Sequence, residues 1–185
     1  MNNLLEKRMY FFVPYNLSPI QQGIQAGHAS LEYAQHFFDS SLYEDFVVNW
    51  KTWIILNGGT TNNNVSRLGS MQQTVNSLCN YNEENPGTII NYSEFYEPDL
   101  NDTLTAICFI ADEPVFNYDL FPDISKFFKD RIDKNTWFEI FRNSRDVDLC
   151  ELRHQLPKVY TEWETSLGGS KNVFLRYLLK GKKLA

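Results

Sequence analysis

Apolar and polar positions along this chain follow two regimes: strands alternating with helices first, then helices alone. Residues 9–13 (M-Y-F-F-V) form a short apolar run closed by Pro14, the pattern of a buried strand. After a loop at 14–17, Ser18-Pro19 supplies an N-cap followed by proline at the first helical position. A helix is predicted over 19–38, with Ile20, Ile24, Leu31, Ala34 and Phe38 as its buried face. Gly27 falls on that face, which predicts a close neighbour there. A shorter helical pattern covers 42–50. The run 53–56 (W-I-I-L) reads as a second buried strand, ended by Gly58-Gly59 and a polar loop at 60–64. The next helix is predicted over 65–79, with Val65, Leu68, Met71, Val75 and Leu78 on its apolar side. A turn-rich connection at 80–87 leads to a third strand at 88–96, a loop at 97–102 and a fourth strand at 105–111.

This order predicts an α/β fold: a mixed four-stranded sheet with helices on both faces, over residues 1–116. Residues 117–185 are predicted to be a helical C-terminal extension packed on it, with helices at 124–132, 136–142, 147–166 and 170–180. Pro157 should kink or split the third of these. The apolar faces in that region make the surface of an interaction module, pack on the sheet or make a homodimer.

Composition narrows the class. With 43% hydrophobic and 22% charged residues the chain is too apolar to be disordered, and 14 Phe with 10 Tyr provide large rings for a core. No apolar run approaches the ~20 residues of a membrane span. The polar first eight residues do not resemble a signal peptide, so a cytoplasmic location is expected. Cys79, Cys108 and Cys150 are widely spaced and form no C-x-x-C pair, so neither a disulfide framework nor a metal site is expected and all three should be buried or inert. The net charge of −6 argues against extensive wrapping by nucleic acid, whose phosphates call for basic partners. Lys180, Lys182 and Lys183 read as a solvated helix end.

Candidate chemistry gathers in three segments that should meet beyond the strand ends. Gln21, Gln25 and His28 are spaced i, i+4, i+7 on the first helix, among small residues that would admit a ligand. His28 is either a proton carrier or a structural histidine. The loop 97–105 holds Asp99, which could orient His28 or a water, and Thr103 and Thr105 as donors; Asn101 and Asp102 fit there equally well as turn residues. Gly58, Gly59 and Thr60 either turn backbone amides toward an anion or simply end the strand.

The motif Gln25-Ala26-Gly27-His28-Ala29 after a first strand, followed later by Asp99-Leu100-Asn101-Asp102-Thr103 before the last, resembles the type II peptidyl-tRNA hydrolases over residues 9–114. The resemblance implies an esterase cleaving a peptide, or an aminoacyl group, from the tRNA 3′ end without a cofactor. It implies His28, Asp99 and Thr103 as catalytic residues. It implies that Gln25 would hold polar groups of the substrate; from the three polar segments, Gln21, Gly58, Gly59, Thr60, Asn101 and Thr105 would face substrate with it. The family has lysine at the position of Gln21 and glycine at that of Asn101. The whole chain also resembles proteins of large tailed bacteriophages. That likeness implies the host cytoplasm and an alternative role: binding or sequestering a nucleotide-like ligand or host factor through the same pocket without cleaving it.

Overall fold

The computed structural model describes residues 4–62, 64, 66–142 and 147–185. They divide into two units: one runs to Glu113 and takes in Tyr177–Ala185, and the other is Pro114–Arg176.

The first unit is a mixed four-stranded open sheet with helices on both faces. Its strands are β1 (Lys7–Pro14), β2 (Thr52–Gly59), β3 (Tyr92–Glu97) and β4 (Thr103–Asp112), in the order β2-β1-β4-β3. β1 runs parallel to β2 and antiparallel to β4, and β3 is antiparallel to β4. β1, β2 and β3 therefore point the same way, and their carboxyl ends lie along the same end of the sheet. The two central strands, β1 and β4, are covered on both sides, which is why both read as nearly unbroken apolar runs.

On one face lies α1 (Pro19–Phe37), followed by α2 (Ser41–Asp45) and a π-helical turn, Phe46–Trp50. Ala26, Ala29, Tyr33 and Phe46 pack there against Met9, Phe11, Val13, Ala106, Cys108 and Ile110. On the other face lies α3 (Ser70–Glu84), which buries Met71, Thr74, Leu78 and Tyr81. A Cβ at Gly58 would lie 2.2 Å from Met71 Sδ, so a side chain there would require the Met71 thioether of α3 to shift. Val65, expected on this helix, lies outside the described residues. Leu68 precedes the helix, which begins five residues later than its apolar pattern suggested.

The N-terminus of α1 is as expected: Ser18 caps it in a reciprocal capping box with Gln21. Its orientation is not. The buried residues are Gln22, Gln25, Ala26, Ala29 and Tyr33, whereas Ile20, Ile24, Leu31 and Phe38 are exposed. Gly27 has nothing within 4 Å of a Cβ, so the close neighbour expected there is absent. The helix turns Ala26 and Ala29 inward, and beside them Gln22 Nε2 donates to the carbonyl of Pro14 at 3.2 Å. Alanines let the helix axis approach the sheet more closely than isoleucines would.

The last residues also depart from expectation. Rather than ending the helical extension, they return to the sheet: Asn57 N donates to Lys183 O, Ala185 N donates to Ile55 O, and Leu184 bridges to Leu56. This stretch pairs with the outer edge of β2 and so protects it.

The second unit is helical. After a short turn, α4 (Glu113–Phe116), come α5 (Ile124–Lys129), α6 (Lys134–Phe141), α7 (Leu149–Gln155), α8 (Pro157–Ser166) and α9 (Ser170–Leu179), whose final residues belong to the first unit. Pro157 splits the predicted long helix into α7 and α8, as its missing amide requires. Phe127, Phe128, Leu152, Tyr160 and Trp163 are buried. Trp163 donates its indole N–H to Pro122 O at 3.2 Å.

Candidate functional site

α1 lies on β4 and β3 with Gln25 facing the sheet. Gln25 is buried, and both ends of its amide are engaged. Nε2 donates to Glu97 Oε2 at 2.7 Å, and Oε1 accepts from the Thr105 hydroxyl at 2.6 Å. Strict alternation along β4 would have put Thr105 on the α3 side with Ile107 and Phe109. A bulge prevents that. The β3–β4 register shifts between Phe95 and Tyr96, Phe95 pairing with Ala106 and Tyr96 with Leu104, so Thr105 is the extra residue. The bulge turns its hydroxyl toward α1.

One turn further along α1, the His28 ring packs against Phe95, with centroids 4.5 Å apart. Its Nδ1 is buried and has no hydrogen-bond partner. Packing therefore sets the orientation of this imidazole, and no protein hydrogen bond assigns its proton.

The site sits at the shared carboxyl end of β1, β2 and β3, where the three polar segments were expected to converge. They converge only in part. Glu97, not Asp99, is the carboxylate that reaches α1. Asp99 is exposed in a 3₁₀ turn, Pro98–Leu100, and makes no hydrogen bond to His28. Thr103 donates its hydroxyl to Leu100 O and so closes the turn on itself. Asn101 has φ 54 and ψ 49, a left-handed conformation that asparagine tolerates.

Gly58, Gly59 and Thr60 are not part of this cluster. β2 and β3 are opposite edges of the sheet, about 14 Å apart at about 4.8 Å per strand. The amides there are already used: Gly59 N donates to Asn57 Oδ1 and Thr60 N to Ser70 Oγ, both at 2.8 Å. The reading of an anion-facing turn is corrected to a self-satisfied strand end. Gln21 is likewise occupied: its Oε1 accepts from Ser18 N at 3.1 Å, in the capping box.

Sequence reasoning missed Glu97 and Phe95 as site residues. Ser93, Phe95 and Glu97 alternate along β3, so this period would have named them once β3 was known to lie under α1. Cys108 is buried, its Sγ donates to Ala29 O at 3.2 Å, and burial pushes its thiol up. Cys79 is half-buried and Cys150 is exposed. Among the described residues, no group of three or more His, Cys, Asp or Glu could hold a metal, and no helix is long and apolar enough to cross a membrane.

No protein-family model matches the sequence, and no curated protein matches it significantly.

Thr105→Val keeps the shape of the bulge but leaves the buried Gln25 oxygen without a donor. It should lower stability by about 1–3 kcal/mol in urea unfolding, with Thr105→Ser much milder. Equal stability of Thr105→Val and the native chain would mean that this bond is not made.

Proposed function

We propose that the chain is a peptidyl-tRNA hydrolase-like esterase, with His28 as the group that activates water against the ester at a tRNA 3′ end. The observation that carries this reading is the arrangement at one end of the sheet. Gln25 is held rigidly by Glu97 and Thr105, and it fixes α1 so that His28 lies against Phe95 with a ring nitrogen left unpartnered. A polar atom kept buried without a partner is costly, and a catalytic role is one explanation for it. The mixed sheet with helices on both faces, which the resemblance implies, is also present.

In this reading a water bonded to His28 loses its proton to the imidazole as it adds to the ester carbonyl. The tetrahedral adduct then expels the 3′ hydroxyl, which takes the proton back. Asp99, Asn101 and Thr103 sit in the neighbouring loop and would meet the substrate there. Gln25 acts as a positioning residue, since both ends of its amide are already bonded.

A second reading is favoured by one observation. No Lys or Arg occurs among the site residues, and Gln21 stands where a lysine would supply a fixed positive charge. That suits a protein that binds a nucleotide-like ligand or host factor without cleaving it.

Release of free peptide from peptidyl-tRNA separates the two. His28→Ala should cut release by about 100-fold or more while the far-UV circular dichroism is unchanged. Asp99→Asn reports whether the loop takes part: a comparable loss would mean that it closes onto α1 with substrate bound. Release that survives His28→Ala, or no release from folded native protein, would sink the hydrolase reading. Retention of intact ligand would then favour binding.

A further inference from the structure

The outward face of α1 is built the wrong way round for a helix bounded by water. Ile20 is 77% exposed, Ile24 50%, Leu31 69% and Phe38 72%, and they recur at helical spacing on the side opposite the buried Gln22, Ala26 and Ala29. Between them, Gly23 and Gly27 leave open space where a Cβ would stand. Over residues 19–38 the charged side chains, histidines aside, reduce to Glu32, in a chain whose net charge is −6. The stripe continues on its β2 side into an apolar cavity of ≈ 210 Å³, where Leu31 and Ala34 meet Val47 of the π-helical turn and Trp53 of β2. Val47 and Trp53 are themselves 39% and 44% exposed.

We propose that this face is a self-association surface, on which a second copy of the chain packs helix against helix about a two-fold axis near Gly27. Three observations select that occupant. The first is area. With full accessible areas of roughly 150–250 Å² per large side chain, the six apolar residues expose about 650 Å² per copy, close to the about 800 Å² that each partner gives a standard interface. Contiguous apolar surface of that size is unusual on a monomer. The second is charge. The stripe carries Glu32 and the cavity beside it Lys51, charges that offset one another, so the face meets its own image with little net repulsion, whereas most other approaches of two chains with net charge −6 are repulsive. A nucleic-acid partner would need several lysines or arginines, whereas 19–38 has none and the adjoining cavity contributes Lys51 alone. The third is shape. Gly23 and Gly27 lower the middle of the stripe, so a crossing helix can approach closely there while the larger residues on either side interdigitate. The proposal does not depend on the hydrolase reading, because it uses none of the residues assigned to that chemistry.

Sedimentation velocity of the full chain over a range of micromolar concentrations tests it. The native protein should dimerise, and Leu31→Glu, which sets two carboxylates near the axis, should weaken the dimer at least tenfold. Gly27→Cys gives an independent arm: in a Cys150→Ser background, a mild thiol oxidant should link two copies through residue 27, and Glu83→Cys on α3 should link far less. A native chain that is monomeric throughout, or a dimer that folded Leu31→Glu leaves intact, overturns the proposal. If circular dichroism shows that Leu31→Glu does not fold, the residue-27 link decides alone: its formation supports the interface and its absence refutes it.

Discussion

Phe11→Ala should destabilise the α/β unit by about 3–5 kcal/mol, enough to unfold a domain of ordinary stability under mild conditions. Phe11 is fully buried in the middle of β1, a central strand bonded to β2 on one side and β4 on the other. Its ring lies 4.7 Å from that of Trp53 and beneath α1. What sets the size of the loss is whether the cavity can collapse. The helix residues above it include Ala26 and Ala29, which have no side chain to extend into a void. Moving α1 inward would disturb the bonds of Gln22 to Pro14 and of Gln25 to Glu97 and Thr105. The void should therefore persist. Phe11→Leu, which retains most of the volume, should cost much less. Urea unfolding checks both: the midpoint should fall while the slope stays constant. A loss below about 1 kcal/mol for Phe11→Ala would mean that β1 is not packed as described.

Arg176→Ala should have a similar effect on the helical unit, about 3–5 kcal/mol, from the void and the lost carbonyl bonds together. Arg176 on α9 is almost fully buried, as few arginines are. Its guanidinium donates to the carbonyls of Phe121 and Pro122 and lies 4.1 Å from the centre of the Tyr118 ring. Asp123 is 3.9 Å from Nε, but it is more than half exposed, so the ion pair contributes little and the carbonyl bonds carry the effect. Alanine would leave the Phe121 carbonyl without this donor and would open a void. Arg176→Lys retains the charge but cannot present the same planar fork, and should recover only part of the loss. Hydrogen exchange in α8 and α9 reads this unit separately. Unchanged protection in Arg176→Ala would show that the buried guanidinium is not needed to hold residues 118–123.

The apolar pattern alone made a good part of the fold legible. β1 and β4 are marked by short unbroken runs because both faces of each are covered, β2 by the run 53–56 although Trp53 stays partly exposed, and the start of α1 by Ser18-Pro19. The break at Pro157 follows from a missing amide. At the site, Gln25 and His28 were readable as neighbours from helical spacing, and Thr105 from its place before a buried run.

The inward side of α1 was decided by the tertiary structure. Periodicity identifies a stripe but not what it faces, and here the apolar stripe faces outward. Gln22 and Gln25 can be buried only because acceptors and donors arrive from Pro14, Glu97 and Thr105, 8 to 80 residues away along the chain. Thr105 reaches Gln25 through a bulge that exists only in the pairing of two strands, and Glu97 rather than Asp99 is the carboxylate it meets there. The return of the last residues to the edge of β2 is likewise a matter of backbone pairing, to which side-chain pattern is nearly blind. What the sequence by itself determined is local: runs, caps and breaks set by the conformational preferences of consecutive residues. Orientation, register and the satisfaction of buried polar groups depend on partners far along the chain, and those only the folded structure brings together.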